Sequence, residues 1–304
     1  MKNKKMVLKS SDYINIKNTY LKFLKKKEKT GKPVIDKVGK LKNFYLPLSR
    51  WIYDTYKKDN KIKIIGLSGG QGSGKSTITG ILKFILKRKY GLNLCVFSID
   101  DFYKTKIERI KMSKKIHPLF LTRGVPGTHD LGLINKTIKK LKEKKFKTVL
   151  IPKFDKSIDD RSKKSKWQKI KKPPHIIIFE GWCVGATPQK KRDLLHPVNE
   201  LERLRDKNLK WRNMVNQELE DKYKKIFNYI DDLIFLKVPS FKHVCKWRLL
   251  QEKKFISPVD TLTIFLQERN GSMISGLLIH DLKEKNRPQT YIAQKGEFIS
   301  ENNM

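Results

Sequence analysis

Ile62-Lys-Ile-Ile-Gly-Leu-Ser68 runs straight into Gly69-Gly-Gln-Gly-Ser-Gly-Lys75-Ser76, and Lys75 opens an amphipathic stretch that reaches Lys89. The first segment is a compact apolar run with the length of a buried strand. The last places Ile78, Ile81, Leu82 and Ile85 at helical spacing on one face. Between them stands Gly-x-x-x-x-Gly-Lys-Ser, whose glycines let successive backbone N–H groups turn toward phosphate oxygens at a helix N-terminus. In such a loop Lys75 reaches the β- and γ-phosphates and Ser76 offers its hydroxyl to Mg²⁺. Gly69, Gly70, Gln71, Gly72, Ser73, Gly74, Lys75, Ser76 and Thr77 are therefore read as the nucleotide-binding set, with ATP and Mg²⁺ as cofactors.

Outward from this loop, strand and helix signals alternate. Leu94–Ile99, Thr148–Ile151, Ile176–Phe179 and Leu233–Val238 read as strands, and Gly276–Leu282 as the last one. Asp130 caps a helix carrying Leu131, Ile134, Ile138 and Leu141, and a long helix covers Leu209–Tyr229. Further helices are expected around Val244, Trp247 and Leu250, and over Val259–Arg269 behind a Ser257–Asp260 cap. The polar, basic segment Lys153–Lys172 reads as an exposed loop. This order predicts an α/β fold, a doubly wound parallel sheet with helices on both faces. Residues 1–60 form a helical extension before the main domain at 61–304. There Ser11 caps a helix bearing Tyr13, Ile16, Tyr20 and Leu24, the stretch Gly31–Gly39 breaks it, and a second helix starts near Pro47 with Leu48, Trp51, Ile52 and Tyr56 on one side.

Composition limits the partner. The 304 residues carry 69 Lys+Arg against 30 Asp+Glu, a net charge of +39, yet only 12 of those cations are arginine. Arg supplies the bidentate fork that reads bases, so lysine spread along the whole chain argues against nucleic-acid recognition. The field instead favours small polyanions such as nucleotides and phosphorylated or carboxylated metabolites. No apolar stretch approaches the ~20 residues of a membrane span. Three cysteines without a C-x-x-C pair read as reduced thiols, which points to the cytoplasm.

Two acids stand at strand ends. Asp100, in Asp100-Asp-Phe-Tyr103, follows the Leu94–Ile99 strand, and Glu180 closes His175-Ile-Ile-Ile-Phe-Glu180. Ligands of open parallel sheets lie beyond those ends, so either acid is placed to accept a proton or to hold a metal. Trp182 and Trp247 read as core residues, and Cys183 as inert packing.

Ser98-Ile-Asp-Asp-Phe-Tyr103, Arg123-Gly-Val-Pro-Gly-Thr-His-Asp130, Ile151-Pro-Lys-Phe-Asp-Lys-Ser157, Glu180-Gly-Trp-Cys-Val-Gly185 and Trp247-Arg-Leu-Leu-Gln-Glu252 follow the phosphate loop in order, with Tyr45-Leu-Pro-Leu48 before it and Gly276-Leu-Leu-Ile279 late in the chain. Together these blocks resemble the P-loop small-molecule kinases related to uridine kinase, phosphoribulokinase and pantothenate kinase, above all the D-glycerate 3-kinase group. The resemblance implies Asp100 as general base, Lys75 and a lid cation at Arg248 on the transferring phosphoryl, and Glu180 with Ser76 at Mg²⁺. It implies that Asp101, Tyr103, Arg123, His129, Lys153, Asp155 and Arg161 lie on the acceptor side, with Arg123 and His129 suited to a carboxylate. The expected acceptor is a small metabolite, D-glycerate first, with a uridine kinase or phosphoribulokinase-like acceptor as the alternative. A basic P-loop ATPase acting on nucleic acid is the reading outside metabolism.

Overall fold

The computed structural model describes residues 10–28, 36–238, 240, 244, 262–270, 273–281 and 289–297. Two compact units result, Met1–Gly70 with Gly74–Lys237, and Gln71–Ser73 with Val238–Met304.

The larger unit begins with helix α1 (Ser10–Glu28), then α2 (Lys37–Lys40), a π-helical turn at Leu41–Tyr45 and α3 (Leu46–Lys57). Strand β1 (Lys63–Gly69) leads through the phosphate loop to α4 (Lys75–Tyr90) and β2 (Leu94–Ser98). A 3₁₀ turn at Ile99–Phe102, α5 (Lys106–Lys115) and α6 (Leu131–Leu141) follow. Next come four short strands, β3 (Val149–Ile151), β4 (Phe154–Asp155), β5 (Asp160–Arg161) and β6 (Gln168–Ile170), before the long β7 (Ile176–Gly181). Helices α7 (Glu200–Arg205), α8 (Lys210–Glu218) and α9 (Lys224–Phe227) precede β8 (Asp232–Leu236), with a π-helical stretch joining α8 to α9.

The central sheet is parallel in the order β2-β7-β1-β8, as the alternating pattern predicts. Side chains alternate across it. Ile65, Leu67, Ile176 and Ile178 face a core completed by Ile78, Ile81, Leu82 and Ile85 of α4, by Ile16, Tyr20 and Leu24 of α1, and by Ile52 of α3. Ile64, Cys95, Phe97, Ile177 and Phe179 face the other way, onto Ile134, Ile138 and Leu141 of α6 with Tyr223 and Ile226. The run His175–Phe179 is apolar without alternation because both faces are covered. Gly80 lets α1 come close, since a Cβ there would stand 3.1 Å from the Phe23 ring.

Four expectations need correction. In α3 the buried seam is Leu46, Ser49, Ile52 and Thr55, while Trp51 is 39% exposed; the preceding π-helical turn feeds Leu41 and Tyr45 into that seam and sets its phase. The Lys153–Lys172 segment is no plain loop, because β4 pairs with β5, and β6 pairs antiparallel with β3. β3 therefore lies outside the central sheet. Val259–Arg269 is not a helix where it is described: Leu262–Asn270 is strand β9, in keeping with the extended preference of Thr263, Ile264 and Phe265. Of the expected last strand Gly276–Leu282, the described part falls in β10 (Met273–Asp281) but is not the last strand, since β11 (Gln289–Glu297) follows and β9, β10 and β11 form an antiparallel sheet in the smaller unit. The helix expected around Trp247 and Leu250 lies outside the described residues.

Candidate active site

The ends of β1, β2 and β7 meet in register, with Glu180 opposite Leu67 on one side and Ser98 on the other. Gly72 (φ 80°) and Gly74 (φ 89°) take left-handed backbone conformations. A Cβ on Gly74 would meet no atom within 4 Å, so conformation rather than space demands glycine there. The backbone N–H groups of Thr77 and Ile78 both donate to the Gly74 carbonyl at 2.9 Å, which starts α4. Lys75 Nζ curls back to donate to the carbonyls of Gly69 (2.7 Å) and Gly70 (3.1 Å).

Burial lowers the Lys75 ammonium pKa, and the charges of Glu180 and Asp100 oppose that shift. Burial likewise raises the Glu180 carboxyl pKa, against the pull of Lys75. Glu180 Oε2 is buried and makes no hydrogen bond. An orphaned carboxylate oxygen at a strand end, with the Ser76 hydroxyl at the start of α4, is the hard-oxygen set that Mg²⁺ accepts alongside substrate phosphate and water. Among the described residues, no three His, Cys, Asp or Glu side chains converge as an all-protein metal site.

Asp100 and Asp101 sit in the 3₁₀ turn after β2, where Ser98 Oγ accepts from the Asp100 N–H. Their roles divide. Asp101 Oδ1 accepts from the Phe154 N–H (3.2 Å) and pairs with Lys153 Nζ (3.0 Å), so it braces the β4–β5 ribbon. Asp100 Oδ1 accepts from the Tyr103 hydroxyl at 3.0 Å, and Oδ2 pairs with Lys156 Nζ at 3.3 Å.

Tyr103 is the hub of a second cluster of side chains. Its ring stacks on His129 (centroids 4.5 Å apart, 21° between planes) and meets Phe154 edge-on at 5.3 Å. Its carbonyl accepts from Arg161, which also pairs with Asp130 at 3.0 Å. Arg123 lies over the Phe154 ring and pairs with Asp159. Asp155 accepts from the backbone and hydroxyl of Ser157, which lowers its carboxyl pKa. His129 is buried, its Nδ1 stands 2.6 Å from the Tyr223 hydroxyl, and burial depresses its pKa to about 3. It is neutral at physiological pH, so any contribution it makes to a carboxylate is a hydrogen bond and not a charge.

Arg109, Asp159 and Tyr223 join this constellation without a clear sequence signal, and Lys156 joins it from the Ile151–Ser157 block, where no role is read for it. Arg109 is fully buried and donates to the carbonyls of Lys104, Leu121 and Asp159 and to the Asp159 carboxylate. Its partner is 50 residues away, so no local pattern marks it. Trp182, expected in the core, is 48% exposed and donates to the Gly124 carbonyl. Cys183 is buried and its thiol is pushed up to about 12 by burial, which makes it inert. Arg248 lies outside the described residues.

Comparison with known proteins gives the family. Residues 64–195 match the Phosphoribulokinase / Uridine kinase family. An uncharacterized kinase of Schizosaccharomyces pombe, mug58, is 36% identical over 64% of this chain and 72% of its own length. The chain belongs to the phosphoribulokinase/uridine kinase family. As a member it is a phosphotransferase with an alcohol group as acceptor and ATP as the implied donor. A chloroplastic D-glycerate 3-kinase of Arabidopsis thaliana is 30% identical over 73% of this kinase and 50% of its own length. The solved structure of a D-glycerate 3-kinase from Cryptococcus neoformans superposes with a TM-score of 0.59 and 27% identity, covering 68% of this kinase and 78% of that chain. No helix among the described residues is long and apolar enough to cross a membrane.

Proposed function

We propose that this kinase transfers the γ-phosphoryl of ATP to a hydroxyl of D-glycerate in the cytoplasm, with Mg²⁺. The observation that carries the reading is the Tyr103 hub, whose hydroxyl holds the Asp100 carboxylate, whose backbone carbonyl accepts from Arg161, and whose ring meets the Phe154 ring that Arg123 covers. A small hydroxy acid needs a proton acceptor at its alcohol and cations at its carboxylate. The similarity to D-glycerate 3-kinases of two organisms supports the same acceptor.

In this mechanism Asp100 orients the acceptor hydroxyl and takes its proton, with the Tyr103 phenol holding the carboxylate in place. Lys75 leaves the Gly69 and Gly70 carbonyls for the β- and γ-phosphate oxygens. Arg123, Arg161 and Lys153 bind or orient the carboxylate end, and the neutral His129 adds a hydrogen bond. Glu180 and Ser76 hold Mg²⁺, which when bound neutralises charge on the phosphate oxygens. Arg248, which lies outside the described residues, is the lid cation of this proposal. The helices before residue 61 act as a packing extension of a kinase domain that spans 61–304.

An acceptor panel tests the proposal. D-glycerate, uridine, ribulose 5-phosphate and a 5′-hydroxyl oligonucleotide are each supplied with Mg-ATP, and ADP release and product are followed. D-glycerate is expected to give the highest kcat/KM. A larger value for any of the other three would overturn the acceptor assignment.

A further inference from the structure

We propose that Lys156 is a catalytic cation of the transfer step, which waits on Asp100 and moves onto the transferring phosphoryl when the acceptor hydroxyl arrives. The inference rests on the reading of Asp100 as the proton acceptor and goes beyond it. Of the two carboxylate oxygens, Oδ1 is engaged by the Tyr103 hydroxyl, which leaves Oδ2 for the acceptor. Oδ2 is the oxygen that Lys156 Nζ holds at 3.3 Å. The acceptor oxygen must lie between Oδ2 and the γ-phosphorus, and the γ-phosphorus lies toward Lys75 in a loop of this type. The ammonium therefore sits on the same carboxylate oxygen that the acceptor hydroxyl would approach. Its charge is also close enough to Lys75 to disfavour the Lys75 ammonium.

The local chain suits a swinging cation. Lys156 lies in the connection from β4 to β5, its side chain is 59% exposed, and four methylenes let Nζ travel without backbone movement. Asp155, the nearest acid in sequence, is occupied by the Ser157 backbone and hydroxyl and so does not compete for the ammonium. In the step itself the acceptor oxygen bonds to the γ-phosphorus while the bond from phosphorus to the oxygen of ADP breaks. The hydroxyl proton goes to Asp100 Oδ2, ADP leaves with the electron pair, and Lys156 keeps all three protons.

Lys156→Met and Lys156→Arg in the full chain test this. The methionine variant should lose about 100-fold in kcat, with KM for ATP and D-glycerate within about threefold of the parent, as expected for a group acting mainly in the transition state. The arginine variant should recover at least about a tenth of the parent rate, because it restores a cation. Binding of ADP with aluminium fluoride, a mimic of the phosphoryl in flight, should weaken at least about tenfold in the methionine variant while ADP alone binds unchanged. A methionine variant with parental or higher kcat, or equal weakening of ADP with and without aluminium fluoride, would overturn the assignment. If the parent enzyme ignores D-glycerate, the acceptor reading alone falls, and the aluminium fluoride complex still decides the role of Lys156.

Discussion

The two halves of the candidate site are built by different physics. The nucleotide half is local: one strand, the five residues 70–74 and the first turn of a helix, with left-handed backbone at Gly72 and Gly74. The acceptor half is assembled from distant side chains. Arg109 reaches 50 residues to Asp159, Arg161 reaches 31 to Asp130, and His129 reaches 94 to Tyr223. Local backbone geometry tolerates change elsewhere in the chain, whereas a network of buried polar pairs fails when one member is removed.

The largest expected effect lies in the nucleotide half. Lys75→Ala should lower kcat/KM by about 1000-fold with an unchanged circular dichroism spectrum and unfolding midpoint, since phosphoryl transfer depends on positioned charge. Loss of folding together with activity would show that the loop is not autonomous. The acceptor half should behave in the opposite way. Arg109→Met removes four hydrogen bonds and leaves the Asp159 carboxylate with only Arg123. Denaturant titration should give a loss of about 3 kcal/mol, the low end for breaking a buried charge pair because Asp159 is partly exposed.

Acid should expose the same contrast. His129 is held neutral with a pKa near 3, below its unfolded value of about 6.5. The unfolded chain thus binds more protons than the folded one between those values. Stability is complete above about pH 6.5 and falls as pH drops, at up to about 1.4 kcal/mol per pH unit from this residue. The difference in slope between the parent and His129→Gln measures it, and equal slopes would contradict the burial argument. The smallest effect returns to the nucleotide half. Burial raises the Glu180 carboxyl pKa, so ionisation there costs stability as pH rises above the ordinary carboxylate range. At pH 7.5, Glu180→Gln should raise the unfolding midpoint while losing activity.

The same divide explains what could be read from the sequence. The phosphate loop, β1, α4 and the two acids at strand ends are marked by apolar period and glycine spacing, which are local signals. The Asp130 cap is equally local, and its carboxylate does accept from the Leu133 N–H. By contrast, the β4–β5 ribbon was hidden because its charged residues fit a solvated loop equally well. What organises it is a fully buried arginine and the left-handed Asp159 (φ 52°), both long-range consequences of the fold. Trp182 was misplaced for a related reason, since an aromatic in an apolar neighbourhood also serves at the surface when its indole N–H finds a carbonyl.

Phosphorus-31 NMR of the enzyme with Mg-ATP and D-glycerate tests the central claim most directly. A new phosphomonoester resonance should grow in step with ADP, and Lys75→Ala should abolish both. Conversion of ATP to ADP and inorganic phosphate whatever alcohol is present, or no consumption of ATP at all, would contradict the account.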